Sequence, residues 1–356
     1  MRIDLMMNSL PSGGAERVMS LLINGLAFKN HNVRFITFNE GQAFEIVKQV
    51  ERIKLHNGKI KNHTIRSIFN LFKFYRIKSN RPDVLISFLP DNNLIAICVG
   101  KMLGIKVIVS EHTNHLVEVD KKTKWIQKNL YRYADATTVL TKFDKEYFSK
   151  FGAKVSVMPN PLNLPDKLKG FTKREKVILA IGGLDRYKIK GFDNLLNLIQ
   201  PVLKENPNWS LKIVGHGEKG MQFLKHLTKK LNLENHVNFT GFHDDVQSLM
   251  QNSQIFVLTS RHEGLPMALM EALSNGMACI SYDCTSGPRD LIRNNINGLL
   301  IEDQNITKMQ ASIISLIQND SLREKLAHNA PDSVKPYKLE NIINRWEKLI
   351  KFGHVD

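Results

Sequence analysis

Short, almost continuous apolar runs recur along the chain, separated by glycine-marked turns and amphipathic stretches. Residues 2–7, 33–38, 83–89, 106–110, 136–140 and 154–158 carry such runs in the first half. Residues 176–181, 210–214, 237–240, 255–258, 278–281 and 298–301 carry them in the second. Each has the length and uninterrupted apolar character of a strand buried on both faces of a parallel sheet. Between them, residues 15–26 place Val18, Leu21, Leu22 and Leu26 at helical spacing. Residues 267–273 are helix formers only, with Gly276 just beyond as a stop. Near the end, Ile342, Ile343, Trp346, Leu349 and Ile350 form the apolar stripe of one amphipathic helix. Strands alternating with helices predict an α/β protein of Rossmann-like units. The polar, lysine-rich stretch 162–176, with Pro165 and Gly170, reads as a linker. The expected division is therefore a domain over 1–165, a second over 175–335 and a closing helix over 338–352.

Composition adds little to this picture, but charge changes it. With 356 residues, 42% hydrophobic and 24% charged, the chain has room for two ordinary globular domains. No apolar run approaches the ~18–20 residues needed to span a bilayer, and the N-terminus is too short in apolar residues for a secretory signal. Cys98, Cys279 and Cys284 lack metal-ligand spacing and suit a reducing cytosol. The net charge of +16 is one-sided: residues 1–170 hold 27 Lys/Arg against 14 Asp/Glu, which is +13 and leaves +3. Residues 52–81 contain nine Lys/Arg and no acid. Such a half points to an anionic surface. Taken as a helix over 59–78, it aligns Lys59, Arg66 and Lys73 seven apart, with Arg76 beside them. Ile65, Ile68, Phe69, Phe72 and Tyr75 fill its other faces, the make-up of a helix lying on anionic lipid. No nucleic-acid motif accompanies the charge, so nucleic acid is not expected as a partner.

Candidate chemistry gathers at strand ends. The strand at 255–258 runs into a loop carrying Glu263, Gly264, Leu265 and Pro266, then into the helix bearing Glu271. Strand, loop and helix put that loop at the carboxyl edge of an α/β sheet, where such folds bind ligands. The helix N-terminus favours anionic groups beside it. The first strand ends in a loop, Asn8 to Gly14, whose Gly13 and Gly14 permit close backbone approach. The full G-x-G-x-x-G spacing is absent, so a dinucleotide cofactor is not supported. His112 follows a buried strand at the same kind of edge. No Asp-x-Asp occurs, so the common divalent-metal clamp is missing.

Glu263-x7-Glu271, followed in order by residues 281–292 and Gly298-Leu299-Leu300, resembles the signature of retaining family 4 glycosyltransferases. Gly13-Gly14-x-Glu16 resembles the family's glycine loop, and Ser110-Glu111-His112 its N-domain histidine segment. Residues 182–191 resemble its diphosphate loop, with Gly183 where the family has arginine. Lys190 fits the diphosphate lysine, Lys188 is its rival, and Arg186 is a candidate for the missing arginine. The resemblance implies a GT-B fold, two Rossmann-like domains facing across a cleft, with the C-terminal helix returning to the N-domain. It implies His112 and Glu263 as catalytic, the first contacting the transferred sugar. It further implies donor contacts from Gly13, Gly14, Arg186, Lys190, Gly217, Phe242, Gly264, Leu265, Pro266 and Glu271. Lys59, Arg66, Lys73 and Arg76 become acceptor or membrane contacts.

The expected reaction is retaining transfer of a hexose or N-acetylhexosamine, from a UDP-sugar by the form of residues 285–290, to a lipid-linked glycan. No metal or cofactor is expected. The setting would be the cytoplasmic face of the cell membrane, in lipopolysaccharide or capsule synthesis. A nucleotide-sugar epimerase or a sugar phosphorylase on the same fold is the alternative. A non-enzymatic binder of anionic surfaces would leave the glutamate signature unexplained.

Overall fold

Two parallel sheets form because each half of the chain supplies short runs that are apolar on both faces. The structure is a computed structural model and describes residues 1–10, 13–41, 44–243 and 245–354. The chain divides into two compact units, Met1–Pro161 with Leu339–Asp356, and Leu162–Lys338. In the first unit the strands are β1 (Arg2–Met7), β2 (Asn32–Thr37), β3 (Glu51–Lys54), β4 (Val84–Phe88), β5 (Lys106–Ser110), β6 (Ala136–Val139) and β7 (Val155–Val157). In the second they are β8 (Glu175–Ile181), β9 (Ser210–Val214), β10 (Val237–Gly241), β11 (Ser253–Leu258), β12 (Ala278–Tyr282) and β13 (Leu299–Ile301).

Their orders are β3-β2-β1-β4-β5-β6-β7 and β10-β9-β8-β11-β12-β13, and every pairing is parallel. Both sheets start near the middle, run to one edge and reverse, the Rossmann arrangement. The reversal lies between β1 and β4 in one sheet and between β8 and β11 in the other. Loops leaving the carboxyl ends of those strands diverge there, which opens a crevice for a ligand.

Three elements differ from the sequence expectation. β3 was not legible, because all four of its residues keep some exposure and none supplies an apolar run. The basic helix is shorter than 59–78: it spans His63–Arg76, and the Asn62 side chain accepts from Ile65 N at 3.1 Å. An asparagine N-cap fixes the start of a helix, so Lys59 falls in the preceding loop rather than on the stripe. Residues 162–174 are not a free linker. Leu162 N donates to Tyr337 O at 2.8 Å, and Arg174, buried, donates to Asn275 O at 2.8 Å.

The last helix, Leu339–Phe352, belongs to the first unit. Ile342, Ile343, Trp346, Leu349 and Ile350 are its buried stripe. Lys106 Nζ donates to Ile350 O at 2.6 Å and Arg345 to Val157 O at 2.7 Å, tying the helix to strand ends. Among the described residues no helix is long and apolar enough to cross a membrane.

Inside the first sheet, Arg34 on β2 grips Asp4 on β1 through two hydrogen bonds of 2.8 and 2.7 Å. Tyr75 donates to the same carboxylate at 2.5 Å. Burial raises the Asp4 carboxyl, and the Arg34 and Tyr75 bonds pull it back only in part. Removing one partner of a buried pair leaves an uncompensated charge. Arg34→Met is therefore expected to cost ~3–5 kcal/mol, read as a lower midpoint in thermal or urea unfolding; an unchanged midpoint would contradict this role.

Candidate active site

The signature loop is held from two sides. Thr259 follows β11, and its hydroxyl donates to Lys190 O (3.2 Å) and Gly191 O (3.1 Å). Arg261 N donates to Ile189 O at 2.8 Å. The Arg261 guanidinium pairs with both oxygens of Asp193, at 2.8 and 3.1 Å, and also donates to Lys188 O. Thus the loop after β11 is stitched to the turn after β8, across the switch point. On the other side, Ser286 N donates to Glu263 O at 3.0 Å and Ser286 Oγ to Gly264 O at 3.2 Å.

Two glycines make these approaches possible. Gly191 has φ 69°, and a Cβ there would stand 1.9 Å from Thr259 O. Gly287 has φ 92°, and its Cβ would stand 2.2 Å from Gly264 O. Only glycine accepts both the positive φ and the contact.

Within this frame Lys190 Nζ lies 2.7 Å from Glu263 Oε1, and Ser260 Oγ donates to the same oxygen at 2.6 Å. The Lys190 and Glu263 side chains are 20% and 9% exposed. The two lysines differ in placement: Lys190 meets the signature glutamate, whereas Lys188 is exposed and contributes its carbonyl. Arg186 is exposed on the turn Leu184–Arg186, four residues before Lys190. Pro266 precedes the helix Met267–Ser274, on which Glu271 is buried. Leu265 is buried as well. Gly217 opens the helix Glu218–Lys230 after β9, and Phe242, 49% exposed, follows β10. All the expected donor contacts in this unit therefore stand on carboxyl-end loops of one sheet or on the helix that follows. Ser260, Arg261 and Asp193 were not singled out in the sequence; the first two lie in the signature loop itself, which was the available signal.

Gly13, Gly14 and His112 belong to the other unit. Gly13, in extended conformation, precedes the helix Gly14–Phe28. Pro11 and Ser12 of that loop lie outside the described residues. His112, two residues past β5, has Nε2 3.2 Å from Ser110 Oγ and its ring 4.3 Å from that of Phe88. Thr138 donates to Ser110 Oγ at 2.7 Å, which fixes the serine. Burial pulls the imidazole down to about 3, so at neutral pH His112 offers hydrogen bonds rather than charge.

Its neighbour Glu111 is 2% exposed. Tyr131 OH donates to its Oε1, Gln127 donates at 3.3 Å, and Oε2 has no partner among the described residues. Burial raises this carboxyl from 4.5 to about 7, more than the Tyr131 and Gln127 bonds lower it. A raised folded-state value means stability is fully present below the unfolded value and is lost as pH rises from about 4.5 through about 7. Glu111→Gln copies the protonated form. It is expected to stabilise the protein above pH 7, by at most ~3 kcal/mol, and far less at pH 4.5. Thermal midpoints of both proteins at pH 4.5 and pH 8 check this.

Two family descriptions match the chain: Glycosyltransferase Family 4 over residues 12–165 and Glycosyl transferases group 1 over 166–333. A Campylobacter jejuni relative is 30% identical, with 98% of each chain covered. Its name is GalNAc-alpha-(1->4)-GalNAc-alpha-(1->3)-diNAcBac-PP-undecaprenol alpha-1,4-N-acetyl-D-galactosaminyltransferase. Sucrose-phosphate synthase from Thermosynechococcus elongatus superposes with TM-score 0.85 at 16% identity, covering 98% of each chain. HepE from Anabaena, solved in complex with UDP and glucose, gives 0.81 at 15% identity, covering 99% of each. The likeness of these two structures is one of fold, the GT-B fold. The 30% identity to the Campylobacter relative over 98% of both chains, together with the two family matches, is what places the chain in a family: it belongs to the family 4 glycosyltransferases.

Proposed function

We propose that this glycosyltransferase moves a hexose or N-acetylhexosamine from a UDP-sugar to a lipid-linked glycan, with retention and without a metal. The observation that carries this reading is the Lys190–Glu263 contact of 2.7 Å at the switch point of the second sheet. Breaking a sugar–diphosphate bond builds negative charge on the leaving phosphate and positive charge at the anomeric carbon. A lysine and a carboxylate fixed in one contact supply a partner for each, in a site that needs no rearrangement of solvent. Arg186, one turn away, supplies a second cation for the diphosphate, and Glu271 takes the ribose hydroxyls as paired acceptors. Gly217 and Phe242, on the neighbouring loops, border the nucleotide. In the first unit, Gly13, Gly14 and His112 are the residues the family resemblance assigns to the sugar, the neutral imidazole accepting from or donating to its hydroxyls.

Metal independence is supported by this cation set and by the absence of Asp-x-Asp. Retention follows from the family resemblance. The UDP donor is supported by the UDP bound in HepE, and the lipid diphosphate acceptor by the name of the Campylobacter relative. Glu263→Gln and His112→Ala are each expected to lower turnover by ~10²-fold with folding intact, as for loss of a positioned transition-state group. Release of nucleoside diphosphate from a panel of nucleotide sugars, with and without lipid-linked acceptor, measures this. Near-normal rates would remove the residue from the site, and a UDP-sugar consumed without transfer would favour an epimerase.

The helix His63–Arg76 gives the acceptor side its place of work. Arg66, Phe69, Lys73 and Arg76 are spaced to share one face, and Ile65 and Phe69 are 56% and 55% exposed. Exposed apolar groups beside cations suit an anionic membrane surface, which supports a working position on the inner face of the cell membrane. Lys59 joins from the preceding loop. Replacing Lys59, Arg66, Lys73 and Arg76 by Ser is expected to weaken binding to anionic vesicles by up to ~10³-fold at low salt. Donor cleavage with a water-soluble acceptor should persist. Equal sedimentation of both proteins with the vesicles would exclude the helix as the docking element.

A further inference from the structure

A second histidine stands three residues beyond His112, in a setting its role as loop backbone does not require. The loop after β5 turns at Asn114, whose Oδ1 accepts from Leu116 N at 3.0 Å. This brings His115 onto the first turn of the helix Lys142–Ser149, which follows β6. Asp144 Oδ1 accepts from His115 N at 2.8 Å and lies 2.7 Å from His115 Nδ1. The imidazole lies nearly parallel to two rings of that helix, Phe143 at 4.8 Å and Tyr147 at 4.3 Å.

The consequence for the tautomer is direct. Asp144 is buried and accepts, so Nδ1 carries a proton, and an imidazole with a single proton at Nδ1 keeps its lone pair on Nε2. Nε2 makes no hydrogen bond among the described residues, and the side chain keeps 15% exposure. The backbone bond to Asp144 alone would serve to shape the loop. A ring locked by a carboxylate and two aromatic neighbours, with one acceptor nitrogen left over, serves recognition. Phe143 is 42% exposed and Leu116 54%. Apolar carbons beside an oriented acceptor suit a sugar, which presents a C–H face and hydroxyls together.

We propose that His115, oriented by Asp144, accepts a hydrogen bond from a hydroxyl of the acceptor saccharide, whose ring packs on Phe143. This rests on the glycosyltransferase assignment and adds an acceptor subsite to it. His115 is thereby a binding residue, separate from the Lys190–Glu263 chemistry.

The test uses the full chain, with octyl N-acetyl-α-D-galactosaminide and octyl α-D-glucopyranoside, and their single-deoxy forms, as acceptor probes. His115→Ala and Phe143→Ala are expected to raise the acceptor KM about tenfold or more, and His115→Gln, which keeps an acceptor oxygen, to recover part of it. Donor KM and nucleotide release without acceptor should stay within about twofold of the unaltered protein. One deoxy probe should be poor with the unaltered enzyme and lose nothing further with His115→Ala. Unchanged acceptor KM in both alanine variants, or an equal rise in donor KM, overturns the subsite. If the unaltered protein uses no nucleotide sugar, the donor reading fails instead. The subsite is then decided by the His115 imidazole NMR signal on adding the octyl glycosides: a shift supports it, and none overturns it.

Discussion

The second unit depends on one close approach, the backbone of Gly191 against the carbonyl of Thr259. With a side chain at position 191 the two loops would have to part, because its Cβ would stand 1.9 Å from that oxygen. Everything useful at this edge is downstream of the contact. It lets Thr259 bond the carbonyls of Lys190 and Gly191, lets Arg261 clasp Asp193, and so brings Lys190 to 2.7 Å from Glu263. The strand order makes this possible, since β8 and β11 are neighbours although 71 residues lie between Ile181 at the end of one and Ser253 at the start of the other. A cation and a carboxylate brought together at a switch point make a candidate site because diverging loops leave space for a ligand there.

The first unit meets a different constraint. Its parallel strands are covered on both faces, so a polar group carried inward costs free energy unless it finds a partner. Asp4 finds Arg34 and Tyr75, and Glu111 finds Tyr131 and Gln127. Asp144 finds His115. The last two pairs lie past strand ends, around His112, so the same satisfaction of buried carboxyls that stabilises the unit also fixes the loops at its carboxyl edge. Burial keeps the His112 ring neutral. A neutral ring suits contact with sugar hydroxyls, whereas the excess positive charge of this half sits on exposed side chains such as Lys73 and Arg76.

Much of this was written in the pattern of residues. Apolar runs of four to seven residues announce strands buried on both faces, and their alternation with helices announces parallel sheets, because crossover helices cover both faces of such a sheet. Glu263, Glu271 and the turn between them were legible because strand, loop and helix follow one another within a single stretch. The stripe from Ile342 to Ile350 marked a helix with one face to bury. Tertiary structure decided the rest. β3 has no apolar run, and only pairing with β2 makes it a strand. Asn62 rather than charge periodicity sets where the basic helix begins, so Lys59 left the stripe. Nothing along the chain shows that the folded turn aims Lys190, and not its rival Lys188, at Glu263. The partners that give Glu111, His115 and Asp193 their character lie 16 to 68 residues away. A sequence shows periodicity and local order, because those depend on neighbours along the chain. It does not show which distant groups burial forces together.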